Sequence, residues 1–380
     1  MNKINFKDYS LKVYVPEELS QSSFFLTGLT EFSAKVGLKI KYINNFKKKK
    51  GRTIIDEGMV SYTEQEFPKT AYFELCNRKF SKTVFFAVDT YDFENQFSSY
   101  ALENCDFVFK RNFSYDMVNH LPKQHTAKLC SLGLTFKVYS SYFTKNKRLK
   151  YKYLLTNIVK SLKIDSYLFK RLNKKLTYHK NQLSLLKNPR YINDYNNYSE
   201  ANENIVFFQT RCFEDDSNND VKEIHEQRYK IIKLLSLVFN NKFKGGFIKS
   251  KLATEKYSDA LTNVPSEPHK YLKALKQAKV VIYTRGLAKS PAWKMAEYMS
   301  QAKVIIAEKL TTDLPVPLTH GKELLFFENN EELISNIKLV LENDKLANQL
   351  SINARAYFEK HIHPEQTVKR VLETVINEKL

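Results

Sequence analysis

Apolar and polar positions along the chain fall into alternating strand and helix rhythms. An apolar stretch from Leu11 to Val15 is bounded by Pro16. A helical segment follows from about Glu18 to Val36, then the alternating run Leu38-Lys-Ile-Lys-Tyr-Ile43. Strand, helix and strand in close succession predict a βαβ unit. Lys47 to Lys50 reads as a loop. Thr83 to Val88 and Asp106 to Phe109 read as strands, with a helix from Glu94 to Glu103 between them. The first 140 or so residues therefore predict one parallel-sheet domain.

From Thr144 to Asn204 the pattern changes. Helical segments rich in Lys, Leu and Tyr (Tyr151 to Leu162, Tyr167 to Leu186) lead into a polar string, Asn193 to Asn204, of linker character. Beyond it, strands at Ile205–Phe208, Phe243–Ile248, Val280–Tyr283, Lys303–Ala307 and Leu324–Phe327 alternate with helices at Val221–Phe239, His269–Gln277, Pro291–Met299, Asn330–Leu341 and Asp344–Glu359. Short, wholly apolar strands between helices predict a parallel sheet covered on both faces. A last helix, Glu365 to Ile376, starts after Pro364. The expected organisation is an α/β fold with two Rossmann-like parallel-sheet domains, residues 1–190 and 200–362. The helix in 363–380 returns to the first domain, and an interdomain cleft at the strand ends takes the ligand.

Composition narrows the chemistry. With 380 residues, 43% of them hydrophobic, the chain can fill two ordinary cores. No apolar run reaches the roughly 18–20 residues of a membrane span. Residues 1–10 lack a signal-peptide core, so a cytoplasmic location is expected. The four cysteines stand apart with no ligand spacing, and no metal site is expected. His361 and His363, two residues apart, read as part of the hinge before the last helix. A net charge of +20 points either to a polyanionic partner or to the lysine-rich composition of the whole chain. With nine glycines there is no GxGxxG and no GxxxxGK[ST] string, which disfavours dinucleotide redox chemistry and P-loop phosphoryl transfer.

The most informative segment is Val280 to Ala307. Its strand ends near Thr284, Gly286 permits a tight turn, and Ser290-Pro291 predicts a helix start with Ser290 as N-cap. No acidic residue stands in the first turn, so an anion could bind the free N–H groups there. Ser290, Lys294 and Glu297 share one helix face. One reading gives Lys294 to a phosphate and Glu297 to ribose hydroxyls. The other makes the two a surface ion pair worth a few tenths of a kcal/mol.

The stretch Met295-Ala-Glu-Tyr-Met-Ser-Gln-Ala-Lys-Val-Ile-Ile-Ala307 resembles the "EAmaaGkPvia" segment of GT-B-fold glycosyltransferases. Gly286-Leu-x-x-Ser-x-x-Trp-Lys-x-x-Glu-Tyr298 is similar to a bacterial subgroup that builds surface polysaccharides. Asp313-Leu-Pro, Gly321 to Glu328 and Asn353 to His361 follow that family's order. The resemblance covers residues 200–375 and implies a metal-independent transferase with a nucleotide-diphosphate sugar as donor and no further cofactor. Many retaining members carry Glu-x7-Glu. Glu297 matches the second Glu, but Lys289 stands at the first, which leaves the stereochemistry open. The family also implies a basic residue after the first strand of this domain. Arg211 stands there, either facing the leaving diphosphate or pairing with Glu214 or Asp215. Gly245-Gly246 marks a close ligand approach or a turn.

On the N-terminal side the resemblance implies the acceptor, a glycan or a lipid-linked sugar. Asp89 reads as a general base or a turn residue. Asp92 follows the same strand, and Lys110 and Arg111 read as partners of a phosphorylated acceptor or as snorkelling surface residues. The basic, tyrosine-rich helices between Tyr151 and Lys180 suit an anionic membrane face or plain solvation. Two competing readings remain. A sugar-nucleotide 2-epimerase on the same fold would turn over without an acceptor. A non-catalytic polyanion binder would show steep salt dependence, and no nucleic-acid signature supports it.

Overall fold

A computed structural model describes residues 4–45, 47–160, 162, 165–199, 204–214 and 217–380. Asp215 and residues 200–203 of the polar string, which figured in the sequence reading, lie outside these. The chain divides into two compact units. The first comprises Met1–Ile192, Asp313–Pro315 and His363–Leu380, and the second Asn193–Thr312 and Val316–Ile362.

The first unit opens with β1 (Tyr9–Tyr14), the helix Leu19–Val36 and β2 (Lys39–Ile43). β1 and β2 pair in parallel from Ser10↔Lys39 to Tyr14↔Ile43, which closes the expected βαβ unit. The helix ends because Gly37 turns left-handed (φ 73°) and donates its N–H to the Ser33 carbonyl at 2.9 Å. Next come β3 (Lys50–Asp56), β4 (Met59–Glu66), β5 (Thr70–Asn77), β6 (Lys82–Asp89), β7 (Gln96–Ser98), β8 (Phe107–Lys110) and β9 (Leu129–Ser131). The main sheet has the order β2-β1-β5-β6-β8-β9. Five of its strands run in parallel, while β5 runs antiparallel to both β1 and β6. β5 is absent from the sequence reading. So are β3 and β4, which form a small sheet of order β4-β3-β7. The helix expected over Glu94–Glu103 is half strand: β7 pairs with β3, and a helix begins only at Ser99, capped by the Ser98 hydroxyl.

The core of this unit joins Leu11, Val13, Phe73, Leu75 and Phe86 on the sheet to Leu26 and Leu29 on the first helix. Val368, Val371, Leu372 and Val375 complete it from the C-terminal helix Pro364–Lys379, which packs along the helix Leu19–Val36. His363 caps that last helix, accepting from the Glu365 N–H. The helices Lys147–Val159 and Leu168–Ser184 pack on each other.

The second unit is regular. β10 (Val206–Thr210), β11 (Phe243–Phe247), β12 (Val280–Tyr283), β13 (Val304–Glu308) and β14 (Leu325–Phe327) form one wholly parallel sheet of order β11-β10-β12-β13-β14. Apolar side chains of the strands and of the helices Asn219–Phe239, Asn330–Glu342 and Asp344–Tyr357 fill its core. The chain moves one way from β10 to β11 and the other way from β12 onward. β10 and β12 therefore flank the point where strand order reverses, and their carboxyl ends diverge into a crevice suited to a ligand.

Candidate active site of the second unit

Arg228 is built into that switch point. It lies on the helix Asn219–Phe239, on the stripe of Ile224, His225, Ile231 and Leu235 that faces the sheet, and is only 6% exposed. Its guanidinium donates to the Arg211 carbonyl at 3.1 Å, to the Arg285 carbonyl at 3.1 Å and to the Thr284 hydroxyl at 3.4 Å. One side chain thus ties the end of β10 to the end of β12. Burial, followed by the nearby Arg211, pushes its pKa down to about 10, which still leaves it cationic at neutral pH. Arg211 itself is exposed and lies over the Phe213 ring at 5.4 Å. Gln209, just before it, donates to the Val264 carbonyl at 2.7 Å and so anchors a loop beside the crevice.

The loop after β12 is held by Asp220. One carboxylate oxygen pairs with Arg285, and the other accepts from the Ala288 N–H at 2.8 Å. Ala288 and Lys289 both adopt left-handed backbone, with φ of 53° and 55°. For residues with a Cβ this costs roughly 1–2 kcal/mol each, so the fixed shape depends on these contacts. Gly286 is needed for the close turn: a Cβ there would lie 2.9 Å from both the carbonyl and the hydroxyl oxygen of Ser290.

The expected helix start at Ser290 is a correction. The helix begins at Lys294, with Trp293 at its cap position, and Ser290 is a buried residue closing a short 3-10 turn. Pro291 has no N–H, and the Ala292 N–H is taken by the Tyr283 hydroxyl at 2.9 Å. No array of free amides therefore opens at Ser290. Lys294 donates to the Tyr271 hydroxyl at 2.8 Å and sits 4.1 Å above that ring. Glu297 is 2% exposed, which removes the reading of a solvated surface pair. Gly245 and Gly246 lie within β11. Added Cβ atoms would lie 2.0 Å from the Phe208 carbonyl oxygen and 2.6 Å from that of Ala260, so the glycine pair serves strand packing.

In the first unit, Asp89 is wholly buried at the end of β6. It accepts from the Tyr91 N–H at 2.9 Å and lies 3.7 Å from the equally buried Lys110 ammonium. Burial raises its pKa, with Lys110 opposing. Arg111 pairs with Asp92, which also holds Lys69 at 2.8 Å. Asp89 is therefore a member of an internal charge cluster, not an exposed base, and neither Lys110 nor Arg111 snorkels at the surface.

Sequence reasoning missed Arg228, Asp220, Arg285 and Tyr271. A charged residue on an otherwise apolar helical stripe was the signal for Arg228. Asp220 and Arg285 become partners only through the fold. Among the described residues, no group of three or more His, Cys, Asp or Glu side chains is placed to hold a metal ion, and no helix is long and apolar enough to cross a membrane.

A family model described as glycosyl transferase-like matches residues 244–373, about a third of the chain. No curated protein matches by sequence. Among solved structures, TarM is 19% identical over 47% of this chain and 35% of its own, with a TM-score of 0.32. Anabaena HepE in complex with UDP is 11% identical, covering 73% of this chain and 65% of its own, with a TM-score of 0.41. Sucrose-phosphate synthase from Thermosynechococcus elongatus is 13% identical, covering 72% and 73%, with a TM-score of 0.37. The chain thus spans about a third of TarM and just under two thirds of HepE. The family match thus makes residues 244–373 similar to a glycosyl transferase-like domain.

Proposed function

We infer that the chain is a glycosyltransferase that takes a sugar from a nucleoside-diphosphate sugar bound at the β10–β12 switch point. The observation that carries this reading is Arg228 fastening the ends of β10 and β12, with the cationic Arg211 exposed beside them. As the glycosidic C–O bond breaks, negative charge develops on the leaving diphosphate. A cation at that place stabilises it. In this reading Arg211 meets the diphosphate, with Lys294 assisting once it leaves Tyr271. Glu297 turns out of the interior to accept from the ribose hydroxyls, and the leaving charge is carried by side chains, not by a divalent ion.

The acceptor in this reading is a hydroxyl of a glycan or lipid-linked sugar in surface polysaccharide synthesis, met at the inner, anionic face of the cell membrane. The helices Lys147–Val159 and Leu168–Ser184 support the location. Together they carry nine Lys and Arg and no Asp or Glu. They also expose Tyr151 (71%) and Phe169 (83%) among those charges. Basic residues interleaved with exposed aromatic rings suit anionic headgroups. Incubating the chain with nucleotide sugars, with and without a lipid-linked acceptor fraction, tests the reaction. Release of nucleoside diphosphate that requires the acceptor and is lost in Arg211→Ala is expected. Turnover of the sugar nucleotide without any acceptor would overturn the transferase reading.

A further inference from the structure

Between the ends of β12 and β13 the second unit encloses a cavity of about 160 Å³, lined by Tyr283, Arg285, Lys289, Glu308, Lys309 and Thr311 among others. Three of these side chains are cationic and one is anionic. The anion is already engaged, since Glu308 accepts from the Arg285 N–H at 2.8 Å. The Arg285 guanidinium is engaged as well, with Asp220 and with Glu223 at 3.5 Å. Lys289 and Lys309 remain. Both are exposed, and among the described residues neither pairs with a carboxylate.

The backbone commits these two lysines to the cavity. Lys289 is held in left-handed conformation, and its carbonyl accepts from the Thr311 hydroxyl at 3.0 Å. This bond ties the loop after β12 to the loop after β13, which carries Lys309. Two lysine side chains lining a hollow the size of a small chemical group suit a ligand that brings its own negative charge. A neutral sugar would form no charge-assisted hydrogen bond with either lysine.

We propose that this cavity binds a carboxylate on the transferred sugar, so that the donor is a nucleotide-linked acidic sugar. The proposal rests on the nucleotide-sugar reading above. Carboxylate oxygens accept from Lys289 and Lys309, while Thr311 and Tyr283 offer hydroxyls to the rest of the sugar.

Matched nucleotide sugars that differ only in a C6 carboxylate, UDP-glucose against UDP-glucuronate and the equivalent guanosine pair, test it by calorimetric titration of the intact chain. The acidic member of at least one pair is expected to bind about tenfold more tightly, as charge-assisted hydrogen bonds imply. That preference should vanish in Lys289→Gln and in Lys309→Gln, whose melting temperatures should match the wild type because both side chains are exposed. Equal affinity for both members of every pair, or a preference that survives both substitutions, overturns the proposal and leaves the donor reading standing. Failure of every nucleotide sugar to bind overturns the donor reading itself, and the proposal with it.

Discussion

Asp220 accepts the Ala288 N–H at 2.8 Å while its other oxygen pairs with Arg285, so one carboxylate at the start of a helix fixes the loop that follows β12. Two left-handed residues, Ala288 and Lys289, stay in place because this anchor holds them. Asp220→Ala removes a charge-assisted hydrogen bond and an ion pair, together worth about 1–3 kcal/mol. The loop should relax, and nucleotide-sugar affinity should fall about tenfold with the rest of the unit folded. Titration calorimetry and circular dichroism on the same variant check this. Unchanged affinity in a folded variant would separate the loop from the site.

Ala288 offers a backbone test of the same loop. At φ 53° a glycine has no Cβ penalty, whereas a β-branched side chain is an outlier. Ala288→Gly should therefore leave stability within about 1 kcal/mol of the wild type, since relief of strain offsets added unfolded-state entropy. Ala288→Val should cost more than that. Equal melting temperatures for the two variants would contradict the described backbone.

In the first unit, Gly28 is the contact point between the helix Leu19–Val36 and the C-terminal helix. A Cβ at this position would lie 2.2 Å from the Pro364 carbonyl oxygen and 2.8 Å from a Val368 methyl. Ala is the better helix former by about 1 kcal/mol, but overpacking against backbone typically costs 1–3 kcal/mol, and a clash this close lies at the upper end. Gly28→Ala should be net destabilising and lower the melting temperature by several degrees. A stabilised variant would show that the helices do not pack as described.

Much of the fold was legible, and the exceptions have physical causes. The strands of the second unit stand out because a sheet buried on both faces requires continuous apolar runs such as Val280–Tyr283 and Val304–Ala307. β4 was illegible because it is largely exposed and polar. β5 was missed because the turn joining it to β6, Arg78 to Ser81, contains no glycine or Asn-Gly pair, its left-handed position being filled by Ser81. The helix start was misplaced because Ser-Pro is a good local cap, whereas the Tyr283 hydroxyl, from the preceding strand, takes the Ala292 N–H that a Ser290 cap would have accepted. The environment of Lys294 and Glu297, one bonded to Tyr271 and the other buried, comes from tertiary packing that spacing does not encode.

Lys49 yields a pH prediction. Its ammonium lies 4.3 Å from the Tyr72 ring centroid and 4.9 Å from that of Tyr14, and donates to the Asn45 side chain at 3.1 Å. Burial first, and Lys160 second, push its pKa down to about 8. An unfolded lysine titrates near 10.4. Between these values the unfolded chain holds more protons, so raising the pH through this window favours the folded state. The penalty of burying the charge is fully present below about pH 8 and fades toward 10.4. The stability of Lys49→Met minus that of the wild type should therefore decrease across that window in urea titrations. A difference that stays flat would place the Lys49 pKa at its ordinary value.

The central claim is that the β10–β12 switch point holds a nucleoside diphosphate. Thermal unfolding of the intact chain with UDP, GDP, CMP and dTDP sugars tests it most directly. A ligand at a hundred times its dissociation constant stabilises by about 2.7 kcal/mol. One nucleotide class should raise the melting temperature in a concentration-dependent way, and the rise should shrink in Arg211→Ala and in Glu297→Ala. No stabilisation by any of them, or a full shift retained in a folded Arg211→Ala variant, would contradict the account.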